Sequence, residues 1–274
     1  MGRVVGAITA LAVFVSQGAL AADLRLAPRP APPPQADWTG LYVGVGIGAK
    51  WGDASWTTTA VSDVPTDVGI LDATAGRAFS PSAFRTSAYL GYNWQLANWV
   101  YGLEGDLGYS NKTTTTAGIP GCTIGCFAGA PGPGVDTASV GLKWDASARA
   151  RLGYLVSPNL LLYGTGGIEW QRMNASAACA NTSVDPICLN SPPFAFKTQT
   201  NATTLNGWTL GAGAEWKLAP DWLLRGEYRF SDLGRSTGTF FSGQPVVEPG
   251  GDAIHYTIGV RAHLLTFGLA YRFI

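Results

Sequence analysis

Charge is scarce in this chain. Its 274 residues hold 18 lysines and arginines against 18 aspartates and glutamates, so the net charge is zero and only 13% of residues are charged. A nucleic-acid partner calls for a basic surface, and this balance excludes one. Long hydrophobic runs are missing too: no apolar stretch reaches the roughly 18 residues that mark a transmembrane helix. Histidine occurs twice, as His255 and His263, and cysteine four times. Neither histidine lies in the segments that carry the cysteines, and Cys122-x3-Cys126 alone is a poor metal signature, so no metal centre is expected. What the chain has in quantity is glycine (36) and aromatic residues, including 10 tryptophans. Many glycines, threonines and aromatics with few charges read as all-β.

The last stretch is the most informative. Phe267, Leu269, Tyr271 and Phe273 are large and apolar, while Thr266, Gly268, Ala270 and Arg272 between them are small or polar. Side chains alternate faces along a strand, so this is a strand with one oily face. The same period of two recurs in residues 41–51, 84–95, 99–110, 143–154, 160–171, 204–218 and 222–230. Three connections are very short, around Ala97-Asn98, Ser157-Pro158-Asn159 and Ala219-Pro220-Asp221. Four are long: 52–83, 113–142, 174–203 and 231–254. Long and short alternate strictly. The sequence therefore predicts an all-β fold: an eight-stranded antiparallel transmembrane β-barrel with four long extracellular loops and three short periplasmic turns. In the closing strand Ile258, Val260, Ala262 and Leu264 have the opposite parity to Leu265–Phe273, which predicts a β-bulge near Leu264-Leu265.

A soluble ligand-binding barrel would turn the apolar face inward. The tryptophans argue against it. Trp94, Trp99, Trp216 and Trp222 flank the short turns, while Trp51, Trp144, Trp170 and Trp208 sit near the long loops. Two such belts suit two membrane interfaces. Ahead of the barrel, residues 1–21 read as a signal peptide, with Arg3, an apolar run from Val4 to Val15 and cleavage after Ala21. Pro28, Pro30, Pro32, Pro33 and Pro34 make 22–37 an extended periplasmic linker. Residues 38–274 are the barrel domain.

The non-apolar face collects Glu104, Asp106, Asp145, Arg149, Arg151, Glu169, Glu215, Arg225, Glu227, Arg229 and Arg272. Charges in a membrane lumen are costly unless paired or wet. They form either a salt-bridged plug of a narrow barrel or a charge-lined conduit for ions. Export permits disulfides. Two local bridges, Cys122–Cys126 and Cys179–Cys188, are expected, with cross-loop pairing as the alternative. No catalytic residues are assigned, since nothing fixes a nucleophile beside His255.

The chain resembles a known family at several points: Ala21-Ala22-Asp23-Leu24 with its Pro-rich continuation, Trp38-Thr39-Gly40-Leu41-Tyr42-Val43-Gly44, Gly91-Tyr92-Asn93-Trp94-Gln95, Arg149-Ala150-Arg151-Leu152-Gly153-Tyr154, Glu227-Tyr228-Arg229-Phe230-Ser231-Asp232-Leu233-Gly234 and the closing Gly268–Phe273 run. These are similar to alphaproteobacterial outer-membrane β-barrel proteins, a family of major surface antigens, opacity-like and haemin-binding proteins. The resemblance implies an eight-stranded barrel in the cell outer membrane, in contact with outer-membrane lipid and lipopolysaccharide, and delivered by the barrel-assembly machinery. Ile274 after Phe273 departs from the family's terminal aromatic. The resemblance does not imply one activity. The first functional reading is a non-enzymatic surface protein whose barrel anchors loops that meet the environment or host. A small-pore porin is the alternative. Haemin, with His255 as the only plausible loop imidazole, is the sole cofactor considered.

Overall fold

The computed structural model describes residues 37–61, 75–121, 136–179, 197–242 and 253–273. The expected signal peptide, nearly all of the linker, Cys122, Cys126, Cys188 and Ile274 lie outside the described residues.

The strands are β1 (Gly40–Val61), β2 (Gly76–Phe79), β3 (Ser82–Leu96), β4 (Trp99–Tyr109), β5 (Lys112–Ala117), β6 (Thr137–Ser157), β7 (Leu160–Cys179), β8 (Lys197–Ala219), β9 (Trp222–Phe240) and β10 (Ile254–Phe273). They make an eight-strand antiparallel ring, because β2 continues β3 across Ser80-Pro81 and β5 continues β4 across Ser110-Asn111. Both β2 and β3 pair with β1, and both β4 and β5 pair with β6. Pro81 has no amide proton to give a ladder, which is why the stave breaks there; its carbonyl still accepts from the Gly52 amide at 2.9 Å. The last strand closes the ring on the first, from Leu41↔Phe273 to Val61↔Ile254. Two-residue turns at Ala97-Asn98, Pro158-Asn159 and Pro220-Asp221 join the strands at one end.

Side chains such as Val45, Phe84 and Leu103 are 57% exposed or more on the outer wall. Exposure of so many large apolar groups on one band is stable only in lipid. The strands, however, outrun the membrane. A spanning strand needs roughly 9–11 residues, whereas β1 has 22 and β6 has 21. Much of what the sequence suggested as loop is therefore strand: β1 runs on to Val61, β6 begins at Thr137, β7 reaches Cys179, β8 begins at Lys197 and β9 runs to Phe240.

In this upper part the polarity inverts. Trp56 stacks on Phe240 at 5.4 Å and packs against Tyr256 at 5.2 Å and Phe79 at 5.9 Å. Ala54, Val140, Met173, Ala175, Ile258 and Val260 are buried with them, while Asp53, Ser55 and Thr57 face out. The expected bulge at Leu264-Leu265 does not exist, because pairing with β1 is continuous there, Lys50↔Leu264 and Ala49↔Leu265. Even-numbered residues of β10 point inward throughout. The apolar set changes face because the outside changes from lipid to water, not because the register slips. Real irregularities sit elsewhere. One lies between Leu142 and Asp145 in β6, which leaves Lys143 and Trp144 both on the outside, so Lys143 does not share the face of Asp145. Another lies between Gly259 and Arg261 opposite Gly234, whose φ of +70° suits glycine.

The crown above the membrane is no longer one ring. Pairing of β3 with β4 ends at Thr86↔Tyr109, and pairing of β8 with β9 ends at Trp208↔Asp232. Beyond those points β2-β1-β10-β9 form one sheet and β5-β6-β7-β8 another, packed face to face over the apolar core as in a sandwich. Side chains tie the two edges. Arg77 donates to the carbonyls of Ala117 and Gly118 at 2.8 and 2.9 Å. Asn201 donates to the Thr239 carbonyl and to the Tyr256 hydroxyl, both at 3.0 Å, and Gln199 accepts from the Phe241 amide at 2.6 Å. Burial raises the pKa of the Tyr256 phenol, and the Asn201 amide opposes that shift.

Candidate functional site

The membrane part of the lumen is filled by charge. Alternation along β4, β6, β8 and β9 sends Glu104, Asp106, Asp145, Arg149, Arg151, Glu215, Arg225, Glu227 and Arg229 inward, and β7 adds Glu169; none is more than 9% exposed. Parity along β1 and β3 also points Lys50 and Arg85 inward. Both belong to the network although the lumen set read from the sequence omits them. Six bases, Lys50, Arg85, Arg149, Arg151, Arg225 and Arg229, then face six acids, Glu104, Asp106, Asp145, Glu169, Glu215 and Glu227.

The pairs form two tiers. In the tier nearer the short turns Glu104 meets Arg149 at 2.5 Å, also accepts from Arg225, and accepts from the Tyr42 hydroxyl at 2.7 Å. Arg151 and Arg225 share Glu215 at 2.9 and 2.7 Å. Arg149 bridges on to Glu227 at 2.7 Å, which also accepts from Tyr163 at 2.8 Å. Guanidiniums lie 4.2 Å over the rings of Tyr89 (Arg225) and Tyr163 (Arg151). In the upper tier Arg85 clamps Asp145 and Asp106, both at 2.5 Å. Arg229 reaches Asp106 at 2.8 Å and Glu169 at 3.4 Å, and Lys50 holds Asp145 at 2.8 Å and donates to Gln171.

Both ends of this column are closed. Above it lies the crown core, beginning with Leu142, Ala262 and Leu264. Below it, Val100, Leu155, Leu161 and Leu223 pack with Trp38. Trp38 is fully buried; its amide donates to the Gln95 side chain at 2.7 Å and its indole to the Pro158 carbonyl at 3.2 Å. Arg272 belongs to this floor rather than to the charge column: it donates to the carbonyls of Thr39 at 2.9 Å and Pro220 at 3.3 Å. Gly40 lets the chain turn under the barrel, with φ at +138° and the Phe273 carbonyl oxygen 2.5 Å from where a Cβ would stand. Gly40→Ala is expected to loosen the closing seam by about 1–3 kcal/mol, read as a lower midpoint of urea unfolding followed by heat-modifiable gel mobility.

Trp51, Trp94, Trp99, Trp144, Trp208, Trp216 and Trp222 are exposed on the outer wall, with Trp170 half-buried beside them. Trp94, Trp99, Trp216 and Trp222 lie by the short turns, and Trp51, Trp144, Trp170 and Trp208 at the level where the interior turns apolar. A band of lipid-facing side chains between two aromatic girdles, around a charge-filled lumen, is an outer-membrane architecture. The family model for the outer membrane protein beta-barrel domain matches residues 7–273. The chain belongs to that family.

Its location is accordingly the outer membrane. Among relatives in this family, a 31 kDa outer-membrane immunogenic protein of Brucella melitensis is 32% identical over 236 residues, 83% of this chain and 86% of the relative. A 25 kDa outer-membrane immunogenic protein of Brucella abortus is 28% identical, covering 83% of each chain. The crystal structure of Ail, the attachment invasion locus protein of Yersinia pestis, aligns with 86% of this chain and 99% of its own at a TM-score of 0.37 and 12% identity, too slight a likeness to speak to function.

Other sequence candidates fall outside the lumen. Cys179 is buried and disulfide-bonded; Cys122, Cys126 and Cys188, and so the choice of pairing, lie outside the described residues. His255 is half-buried on the crown, 3.0 Å from the Thr239 hydroxyl. His263 is far below it, stacked on Trp51 at 5.6 Å with its Nδ1 2.7 Å from the Tyr228 hydroxyl. The two imidazoles do not converge. Among the described residues no His, Cys, Asp and Glu group is arranged to hold a metal ion.

Proposed function

We propose that this protein is a non-conducting surface barrel, which anchors a folded extracellular crown and presents the connections at its tip to the environment or host. What supports this reading above all is the lumen: its charges are matched base to acid within 3.8 Å and capped by apolar side chains at both ends. A conduit needs a wet, unpaired path, and buried charges this closely paired between two apolar caps oppose one. The immunogenic relatives are in keeping with a protein met from outside. The crown supplies the mechanism of presentation: two packed sheets hold the ends of the connecting segments at fixed separations, so that recognition works on a rigid platform.

The test is conductance in a planar bilayer, with folding verified first by heat-modifiable mobility. No discrete current steps are expected from the folded protein. Reproducible steps would overturn the reading in favour of a small-pore porin.

A further inference from the structure

The outer wall splays at the membrane surface on the β3–β4 side, as it does between β8 and β9. Above Thr86↔Tyr109, β3 keeps its partner on the β1 side and has none on the other, because β5 follows β6 away from it. The splay opens an outward cleft of about 470 Å³ lined by Ser82, Phe84, Tyr109, Asn111 and Lys112 among others. It runs through Thr86 and Tyr109 into a second cleft of about 410 Å³ floored by Ala88, Leu107 and Trp144. The lower half is apolar and faces hydrocarbon. The upper half is the more polar of the two, with Ser82, Ser110, Asn111 and Lys112 in its lining, and it opens just above Trp144 of the extracellular aromatic belt, which lines the lower half.

Two cations stand at the head of this groove. Lys112 is exposed and lines the upper cleft. Lys143, pushed outward by the β6 irregularity, lies next to Trp144 and donates to the Asn111 side chain at 2.5 Å. Neither meets a carboxylate among the described residues. Arg261, also on the outer wall above the belt, is instead paired with Asp232 at 3.2 Å. The open edge of β3 at the headgroup level presents backbone groups with no strand partner. An anionic headgroup with several acceptor oxygens answers both the edge and the lysines.

We propose that this groove is a binding site for a phosphorylated lipid of the outer leaflet. The phosphate sits between Lys112, Lys143 and the open edge at Ser82 and Asn111, and an acyl chain lies along Phe84, Ala88 and Leu107. The bound lipid completes the wall where the ladder is interrupted. Charge complementarity and depth choose the occupant: a soluble anion would leave the apolar floor uncovered, and an uncharged lipid would leave the lysines and the edge unanswered.

The test is native mass spectrometry of the folded protein in detergent with purified bisphosphorylated lipid A, and with the same lipid stripped of its phosphates. The wild type is expected to retain one lipid A. Lys112→Gln combined with Lys143→Gln is expected to weaken retention about thirtyfold, from roughly 1 kcal/mol per lysine near a lipid surface. Ala88→Trp, which fills the floor and leaves both lysines, is expected to lose the adduct as well, and Arg261→Gln to keep it. Folding of each variant is checked by heat-modifiable mobility. Undiminished retention in the lysine pair variant or in Ala88→Trp, or equal retention of the phosphate-free lipid, overturns the assignment.

Discussion

Glu104→Ala is expected to destabilise the barrel by about 4 kcal/mol, the cost of leaving buried charge without its counterion. Glu104 is where the lower tier converges. It accepts from Arg149, Arg225 and the Tyr42 hydroxyl, with Arg151 3.8 Å away. All of these side chains are buried, so no water replaces the lost acceptor. Truncation leaves two guanidiniums and a phenol pointing at a small void. The measurement is urea unfolding in detergent or lipid vesicles, followed by heat-modifiable mobility and tryptophan fluorescence. Glu104→Gln keeps the shape and removes the charge, so it separates packing from electrostatics; most of the loss is expected to remain. Adding Arg225→Met to Glu104→Ala removes one of the stranded cations, and partial recovery is expected, since residues in one network do not behave additively. A loss below about 1 kcal/mol for Glu104→Ala would mean a solvated column, as for an exposed pair. That result would favour the porin reading as well.

Trp56→Ala is expected to cost about 3–5 kcal/mol and to damage the crown alone. Trp56 is fully buried and touches Phe79, Phe240 and Tyr256, which come from three other strands of one sheet. It faces the Val140 and Ala175 side of the other sheet across the core. Its loss takes the centre out of the contact between the two layers, whose edges are joined, among the described residues, by side chains such as Arg77, Gln199 and Asn201. The membrane ring is held by continuous ladders and does not depend on it. The check is limited proteolysis beside heat-modifiable mobility: new cleavage within the upper parts of β1, β8 and β9, with the membrane portion still resisting heat at the wild-type temperature. Loss of both together would mean that crown and ring fold as one cooperative unit.

The membrane part of the fold was legible because lipid outside and charge inside impose a strong two-residue period. The eight staves, the closing strand, the three turns and the two tryptophan belts follow from that period alone. The crown was not legible for the same reason. Once a strand leaves the bilayer its outer face carries threonine and serine, its inner face is apolar, and the signal changes sign. Along β10 this looks like a slipped register at Leu264; along β5, with Lys112-Thr113-Thr114-Thr115-Thr116-Ala117, no alternation survives at all. The charge column was legible as a face but not as a network. Single inward charges on otherwise glycine-rich or mixed strands, Lys50 and Arg85, complete the balance, and only the register across the ring shows which base meets which acid. Arg272 has the right parity for the column and the wrong height, a distinction that period alone does not carry.

The seam between β1 and β10 joins residue 41 to 273 and residue 61 to 254. The first and last staves thus hold both storeys of the molecule, and this fixes the timetable of its biogenesis. Until β10 is in place, Tyr42 and Trp56 lack its cover, and two strand edges, those of β1 and β9, stand open across the height of the wall. No useful half-product exists: a chain stopped before Ile254 has neither a sealed membrane wall nor a covered crown, and it carries long unpaired edges of the kind that seed aggregation. Maturation is therefore a single late event, and everything before it depends on the chain being kept apart from its own copies.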